Sequence, residues 1–116
     1  MGLRCLIVDD NARFLEAARA LLEREGLHVV GVASSAAEAI QHARDLEPEV
    51  VLVDVYLGAE SGFELTKGLA EVHTASIILI STHAETDFDE LIADSAAAGF
   101  IPKERLSADA VRALAA

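Results

Sequence analysis

Short apolar stretches alternate with longer amphipathic stretches five times along this chain. In the first amphipathic stretch the apolar residues recur three and four positions apart, as in a helix that covers a core: Phe14, Ala17, Ala18, Leu21 and Leu22. Such an alternation predicts an α/β domain, with a parallel sheet between two layers of helices. The predicted strands cover residues 3–8, 28–33, 50–53, 77–80 and 99–101. The predicted helices cover residues 12–25, from Ser34 or Ser35 to 46, 63–72, 87–98, and from Ser107 to the C-terminus.

The order of the strands follows from which of them can be buried on both faces. Residues 50–53 and 77–80 are unbroken apolar runs, so these two strands belong in the middle of the sheet. The second strand contains His28 and Gly31 and the fifth is very short, which suits the two edges. This predicts the order 2-1-3-4-5 of a flavodoxin-like, doubly wound (βα)5 fold. Ligands of such folds bind at the carboxyl ends of the first and third strands, where the strand order reverses.

Length and composition narrow the classes of function. A chain of 116 residues supports one hydrophobic core, so we expect a single domain over residues 1–116. The net charge of -11 disfavours nucleic acid and anionic membranes as partners of this domain. The lone Cys5 forms no internal disulfide, and its apolar surroundings in the sequence indicate a structural thiol. No apolar stretch approaches the ~20 residues that span a bilayer. We therefore expect a cytoplasmic protein.

Polar residues with related chemistry follow the predicted strands. Asp9 and Asp10 end the first strand, and Asp54 ends the third. Because these strands are neighbours, three carboxylates converge, and their mutual repulsion favours a bound cation. Oxygen ligands alone point to a hard cation such as Mg²⁺. Ser81 after the fourth strand and Lys103 after the fifth add a hydroxyl and an ammonium, so the set suits a phosphoryl group, with a carboxylate as nucleophile.

Some of these acids also have an ordinary explanation as helix caps. Asp10 and Asn11 stand directly before the first helix, where a side-chain oxygen commonly accepts a hydrogen bond from the backbone. Asp54 is a weaker cap candidate, because Ser61 lies closer to the third helix. Capping is thus the better explanation for Asp10 and Asn11 taken alone, whereas the whole set at four strand ends favours a site.

Four segments resemble the receiver domains of two-component response regulators. They read IVDDN at 7–11, VLVDV at 51–55, LIST at 79–82 and GFIPK at 99–103. They stand in the family's order and spacing, and the resemblance covers essentially the whole chain. It implies the fold described above and a signalling protein that is not an enzyme. Such a protein accepts a phosphoryl group from a histidine kinase or a small phosphodonor.

The resemblance assigns roles to the residues of the acidic cluster. Asp54 matches the phosphoacceptor. Asp9 and Asp10 match the pair that holds Mg²⁺ together with Asp54, and the backbone carbonyl of Tyr56 is the further ligand. Lys103 matches the lysine that contacts the phosphoryl group.

The resemblance also implies a conformational switch. Ser81 matches the switch hydroxyl and Phe100 the switch aromatic. Tyr56 and His83 stand two residues after the acceptor and two after the hydroxyl, where the family sets its dephosphorylation rate. Both are bulky, so we expect them to obstruct the attacking water and to prolong the phosphorylated state.

The implied partners are a sensor histidine kinase or a phosphotransfer protein, and an output domain or target protein. The output or target would bind the face formed by the fourth helix, fifth strand and fifth helix, and a homodimer formed on phosphorylation is a further expectation. The chain is either a stand-alone regulator or the receiver part of a longer transcription factor. The sequence departs from the family at Glu104, where proline usually follows the lysine, so we expect no cis peptide bond there.

Three other functions remain in competition. One is a degenerate receiver that binds partners without being phosphorylated, an alternative that Glu104 keeps open. Another is a Mg²⁺-dependent phosphohydrolase, which would need a second acid at the position of Tyr56. The third is a nucleotide- or flavin-binding module, and the chain lacks the glycine-rich motifs of that class.

Overall fold

A single parallel sheet forms the centre of the molecule. The computed structural model of the chain describes residues 2–115. The strands of this sheet are β1 Arg4–Val8, β2 His28–Ala33, β3 Val50–Asp54, β4 Ser76–Ser81 and β5 Gly99–Pro102. They lie in the order β2-β1-β3-β4-β5, and every neighbouring pair is parallel. The predicted order 2-1-3-4-5 is therefore confirmed.

Helices cover both faces of the sheet. They are α1 Ala12–Arg24, α2 Ala36–Leu46, α3 Gly62–Val72, α4 Asp89–Ala93 and α5 Ala108–Ala115. Because side chains alternate along a strand, Cys5 and Ile7 of β1 pack with α1 and α5, whereas Leu6 and Val8 pack with α2 and α3. Within residues 2–115, every helix is too short or too polar to span a bilayer.

Side-chain caps fix where four helices begin. Asn11 caps α1, and its Oδ1 accepts the N–H groups of Arg13 and Phe14 at 3.0 and 3.2 Å. Ser35, Ser61 and Ser107 accept backbone N–H groups at the starts of α2, α3 and α5. Asn11 and not Asp10 is thus the cap of α1, which leaves the Asp10 carboxylate free of a capping role.

The buried face of α1 differs from the predicted stripe. Leu15, Ala18 and Leu22 are the buried residues, Phe14 is partly buried, and Ala17 is exposed. The buried face shares Ala18 and Leu22 with the predicted stripe, but it buries Leu15, a larger apolar side chain than Ala17. The helix is therefore turned so that Phe14 lies at the edge of the core.

The prediction of a long fourth helix over residues 87–98 is wrong. A 3-10 turn covers Glu85–Asp87, and α4 ends at Ala93. The Ser95 hydroxyl donates to the carbonyl of Ile92 and accepts the N–H of Ala97, which replaces helical bonding by a local turn. Leu91, within the helix, is 54% exposed, and Phe88 is buried just before the helix.

Cys5 is a buried structural thiol, as expected. It is fully buried in β1, and burial raises the pKa of its thiol to about 12. The side chain therefore stays protonated at neutral pH and acts as a small apolar group.

Two glycines of α3 differ in how much space surrounds them. A Cβ at Gly62 would collide with the carbonyl oxygen of Asp54 and lie 2.8 Å from the Cα of Val55. A Cβ at Gly68 would meet only the Ile40 side chain, at an ordinary 3.5 Å. Gly62 therefore lets α3 begin directly against the strand that carries Asp54.

We expect Gly62→Ala to lower the free energy of unfolding by at least about 2 kcal/mol, because the backbone of β3 must move. Gly68→Ala is the matched control in the same helix and should raise it by about 0.5–1 kcal/mol, through the better helix propensity of alanine. Urea unfolding of both variants measures the difference. Equal effects of the two substitutions would contradict the close approach at Gly62.

Candidate functional site

Three carboxylates meet at the carboxyl ends of β1 and β3. One carboxylate oxygen each of Asp9, Asp10 and Asp54 lies within 4.8 Å of the other two. The register of the sheet causes this, because Val8 pairs with Val53 and each strand then runs directly into its aspartate. Asp9 is fully buried and Asp54 nearly so, whereas Asp10 is exposed. The acidic cluster predicted from the sequence is present.

Lys103 is the cation of this cluster in the described part of the chain. Its Nζ lies 2.6 Å from Oδ2 of Asp9 and 3.3 Å from Oδ2 of Asp54. The lysine follows β5 directly and opens a 3-10 turn over Lys103–Arg105. All peptide bonds in residues 2–115 are trans, so the turn forms without a cis bond before Glu104.

The two buried aspartates use their oxygens in the same way. Oδ1 of Asp9 accepts the N–H of Asn11 at 2.8 Å, and Oδ1 of Asp54 accepts the N–H of Tyr56 at 3.2 Å. Each bond closes a turn between a carboxylate and the backbone two residues later. Both Oδ2 atoms are thereby aimed into the cluster, toward Lys103.

The cluster fits a hard divalent cation. Oδ2 of Asp9 is completely buried, and its close partner within residues 2–115 is the Lys103 ammonium, whose Nζ lies 2.6 Å away. Three carboxylates against one ammonium leave a surplus of negative charge. Buried, under-satisfied carboxylate oxygens without nitrogen or sulfur ligands are the donor set that Mg²⁺ or Ca²⁺ takes.

The pKa of Asp54 reflects its burial and the negative charges gathered around it. Burial, and next the negative charge of Asp9, raise the pKa of Asp54 to about 6, although Lys103 and the Tyr56 N–H oppose the shift. Burial alone would lower the pKa of Lys103, but Asp9 and Asp54 together outweigh it and raise that pKa. Lys103 is therefore charged at neutral pH, and Asp54 is ionised but costly to keep so.

Ser81 lies at the end of β4, beside this cluster. Its Oγ accepts the N–H of His83 at 3.0 Å and lies 3.4 Å from the His83 ring nitrogen Nδ1. Within residues 2–115 these are the hydrogen bonds of the hydroxyl, and none joins it to Asp54. His83 and Tyr56, predicted to act together, are in edge contact with their ring centroids 5.2 Å apart.

An aromatic cluster connects these residues to β5. Phe100 is buried and its ring centroid lies 6.0 Å from that of Phe88. Phe88 also contacts Tyr56 and His83, at 5.9 and 6.1 Å. From the sequence, Phe88 falls only within the helix predicted over residues 87–98, since its position in the cluster depends on the 3-10 turn that replaces the start of that helix.

Phe14 is a second residue near the cluster that the sequence did not single out. Its ring centroid lies 4.4 Å from Nζ of Lys103. The sequence marked Phe14 only as a member of an apolar stripe. No pattern along the chain links it to Lys103, because the two meet only in the tertiary structure, where the lysine that follows β5 reaches the first turn of α1.

The model of the response regulator receiver domain family matches residues 5–115. The chain belongs to this family. Response regulator GacA of Pseudomonas viridiflava is 33% identical over 114 residues, which cover 97% of this receiver domain and 53% of that protein. The transcriptional regulatory protein LnrK of Bacillus subtilis is 28% identical over 111 residues, 94% of the chain and 50% of that protein. The receiver domain spans about half the length of these curated relatives.

Solved structures agree with this assignment. The signal receiver domain of the putative response regulator NarL from Mycobacterium tuberculosis superposes with a TM-score of 0.88 at 25% identity, over 98% of this chain and 96% of that one. A LuxR-family two-component response regulator from Aurantimonas gives 0.86 at 29% identity, over 98% and 83%. The function is therefore that of a receiver domain in two-component signalling, a class that binds Mg²⁺ in an acidic pocket and works with histidine kinases and output domains.

Proposed function

We propose that this receiver domain accepts a phosphoryl group on Asp54 in a Mg²⁺-dependent reaction. One observation carries the proposal: Oδ2 of Asp54 lies 3.3 Å from Nζ of Lys103, beside two further carboxylates at the switch point of the sheet. A nucleophilic oxygen, an ammonium for the phosphoryl oxygens and a cation site are thus within a few ångströms of each other.

The residues that would hold Mg²⁺ are Asp9, Asp10 and Asp54, with the backbone carbonyl of Tyr56 as a further ligand. When bound, the ion neutralises negative charge on the phosphoryl oxygens. The completely buried Oδ2 of Asp9 supports this assignment.

The chain's own residues account for the transfer. A carboxylate oxygen of Asp54 forms a bond to phosphorus as the phosphorus–nitrogen bond of a donor phosphohistidine breaks. The bonding electrons stay on the imidazole nitrogen, which takes up a proton. Lys103 stabilises the charge on the transferring group and is held for this task by Asp9. Asp54 itself ends as an acyl phosphate, so the protein is the substrate of the step and not a turnover catalyst.

The switch uses Ser81 and Phe100. New phosphoryl oxygens attract the Ser81 hydroxyl as a hydrogen-bond donor, and its movement toward them would draw it away from the His83 N–H, which its Oγ now accepts. His83 and Tyr56 both contact Phe88, which packs on Phe100, so a shift of Ser81 reaches β5 through packed rings. The face of α4, β5 and α5 would carry the change to an output domain, a target protein or a second copy of the chain.

The histidine kinase or phosphotransfer partner is expected in the cytoplasm. The lone, buried Cys5 needs no oxidising compartment, which supports that location.

Intact-mass measurement after incubation with acetyl phosphate and Mg²⁺ tests the proposal. We expect one phosphoryl adduct, absent with EDTA and absent in Asp54→Asn. Asp94→Asn removes an exposed carboxylate elsewhere and should keep the adduct. No adduct from acetyl phosphate, phosphoramidate or a phosphorylated histidine kinase would favour the degenerate receiver.

Tyr56 and His83 are proposed to slow dephosphorylation. Their rings are in edge contact, with centroids 5.2 Å apart, and each residue lies two positions after a residue of the proposed site, Asp54 or Ser81. We expect the double change Tyr56→Ala, His83→Ala to shorten the lifetime of the phosphorylated protein by roughly tenfold. Decay of the mass adduct after removal of the donor measures this. Tyr56→Phe keeps the bulk and should leave the lifetime near that of the wild type, and an unchanged double variant would contradict the proposal.

A further inference from the structure

We propose that Phe14 is a positioning residue that holds the ammonium of Lys103 at the two buried carboxylates. The inference rests on the proposed function, in which Lys103 contacts the phosphoryl group. The observation behind it is the position of Nζ, 4.4 Å from the centroid of the Phe14 ring and on the face of that ring. A cation over an aromatic face is attracted by the ring's electron density.

A closed circuit of contacts fixes this arrangement. Oδ1 of Asp9 accepts the N–H of Asn11, and Oδ1 of Asn11 accepts the N–H of Phe14. The Phe14 ring lies against Nζ of Lys103, and Nζ lies 2.6 Å from Oδ2 of Asp9. Oδ1 of Asp9 therefore holds the first turn of α1, through Asn11, and Oδ2 of Asp9 holds the lysine.

Lys103 is a side chain that needs such support. Its ammonium stands on a flexible stem of four carbons and is strongly hydrated in water. Here the side chain is only 13% exposed, and the pair of carboxylates attracts it from one side. The Phe14 ring lies over the same ammonium, so it limits how far Nζ can move when a phosphoryl group approaches.

Simple apolar packing is the competing explanation. Under it, the ring would only cover the methylene groups of the lysine stem, and leucine would serve as well as phenylalanine. Under the positioning role, the aromatic face itself matters. Phe14→Tyr and Phe14→Trp should then preserve function, whereas Phe14→Leu should not.

The experiment compares the rate of phosphorylation by acetyl phosphate in these variants. We expect Phe14→Leu to slow the reaction about 3- to 10-fold, with the tyrosine and tryptophan variants close to the wild type. In a Lys103→Met background, Phe14→Leu should cause no further loss, because the group it positions is gone.

Nuclear magnetic resonance of the unphosphorylated protein reads the contact directly. The ε protons of Lys103 should show an upfield ring-current shift that Phe14→Leu removes and Phe14→Trp keeps. Equal phosphorylation rates of the leucine variant and the wild type, or a full loss that persists without Lys103, would overturn the positioning role. If the wild type itself gained no phosphoryl group, the proposed function would fail, and the presence or absence of the ring-current shift would still decide the contact.

Discussion

Asp54→Asn should raise the stability of the metal-free protein at neutral pH, although it removes the proposed phosphoacceptor. Burial and the Asp9 charge raise the pKa of Asp54 to about 6 from 3.8. The folded state therefore binds the Asp54 proton more tightly than the unfolded state, and stability falls as the pH rises through this window. At about 1.4 kcal/mol per pKa unit, the penalty above pH 6 reaches up to about 3 kcal/mol, and asparagine removes it.

Urea unfolding at several pH values checks this expectation. The advantage of Asp54→Asn should be present above about pH 6 and disappear near pH 4, where the aspartate of the wild type is protonated in the folded state. Added Mg²⁺ should stabilise the wild type more than the variant, because the variant has lost one ligand charge. Asp94→Asn is the control, since an exposed acid should give a change within about 0.5 kcal/mol. An Asp54→Asn advantage that is the same at both pH values would contradict the electrostatic cause.

Lys103→Met should have the opposite effect. It keeps a stem of similar length but leaves the fully buried Asp9 and the nearly buried Asp54 without their cation. Removing one partner from a buried ion pair costs about 3 kcal/mol or more, because the remaining charge stays desolvated. We expect a loss of that size at neutral pH without metal.

Two comparisons separate this loss from a general effect of removing lysine. Lys67→Met takes away an exposed lysine of α3 and should be close to neutral. Combining Lys103→Met with Asp54→Asn should recover part of the lost stability, because it removes one of the two carboxylate charges that the lysine neutralised. A Lys103 variant as stable as the Lys67 variant would show that the cluster does not depend on its ammonium.

The sequence was most informative where the physics is local or follows from burial on both faces. The apolar runs of β3 and β4 required central positions in the sheet. The second strand, with His28 and Gly31, and the short fifth strand required the two edges, and the sheet has that order. Because that order makes β1 and β3 neighbours, it also brings Asp9 beside Asp54, and Val8 does pair with Val53. The helix caps Ser35 and Ser61 could likewise be predicted from the sequence, since a cap depends only on the few residues next to it.

Prediction failed where a local pattern competed with contacts made far along the chain. Residues 87–98 have helical spacing, but the Ser95 hydroxyl accepts the Ala97 N–H, and the Ala98 N–H donates to the carbonyl of Ile77 in β4. The helix therefore ends early and Leu91 remains in solvent. In α1 the periodicity was compatible with two buried faces, and tertiary packing buries the face that contains Leu15.

By itself the sequence determined the architecture, the strand order and the convergence of three acids with Lys103, because burial and the direction of parallel strands leave few other arrangements. Only the tertiary structure decided which oxygen of each aspartate faces the lysine, that Ser81 is bonded to His83, and that Phe14 lies over the ammonium. These contacts join residues distant in sequence or depend on a single rotamer. Distances and angles of that kind are set by the packing of α1, α4 and β5, which no periodicity along the chain encodes.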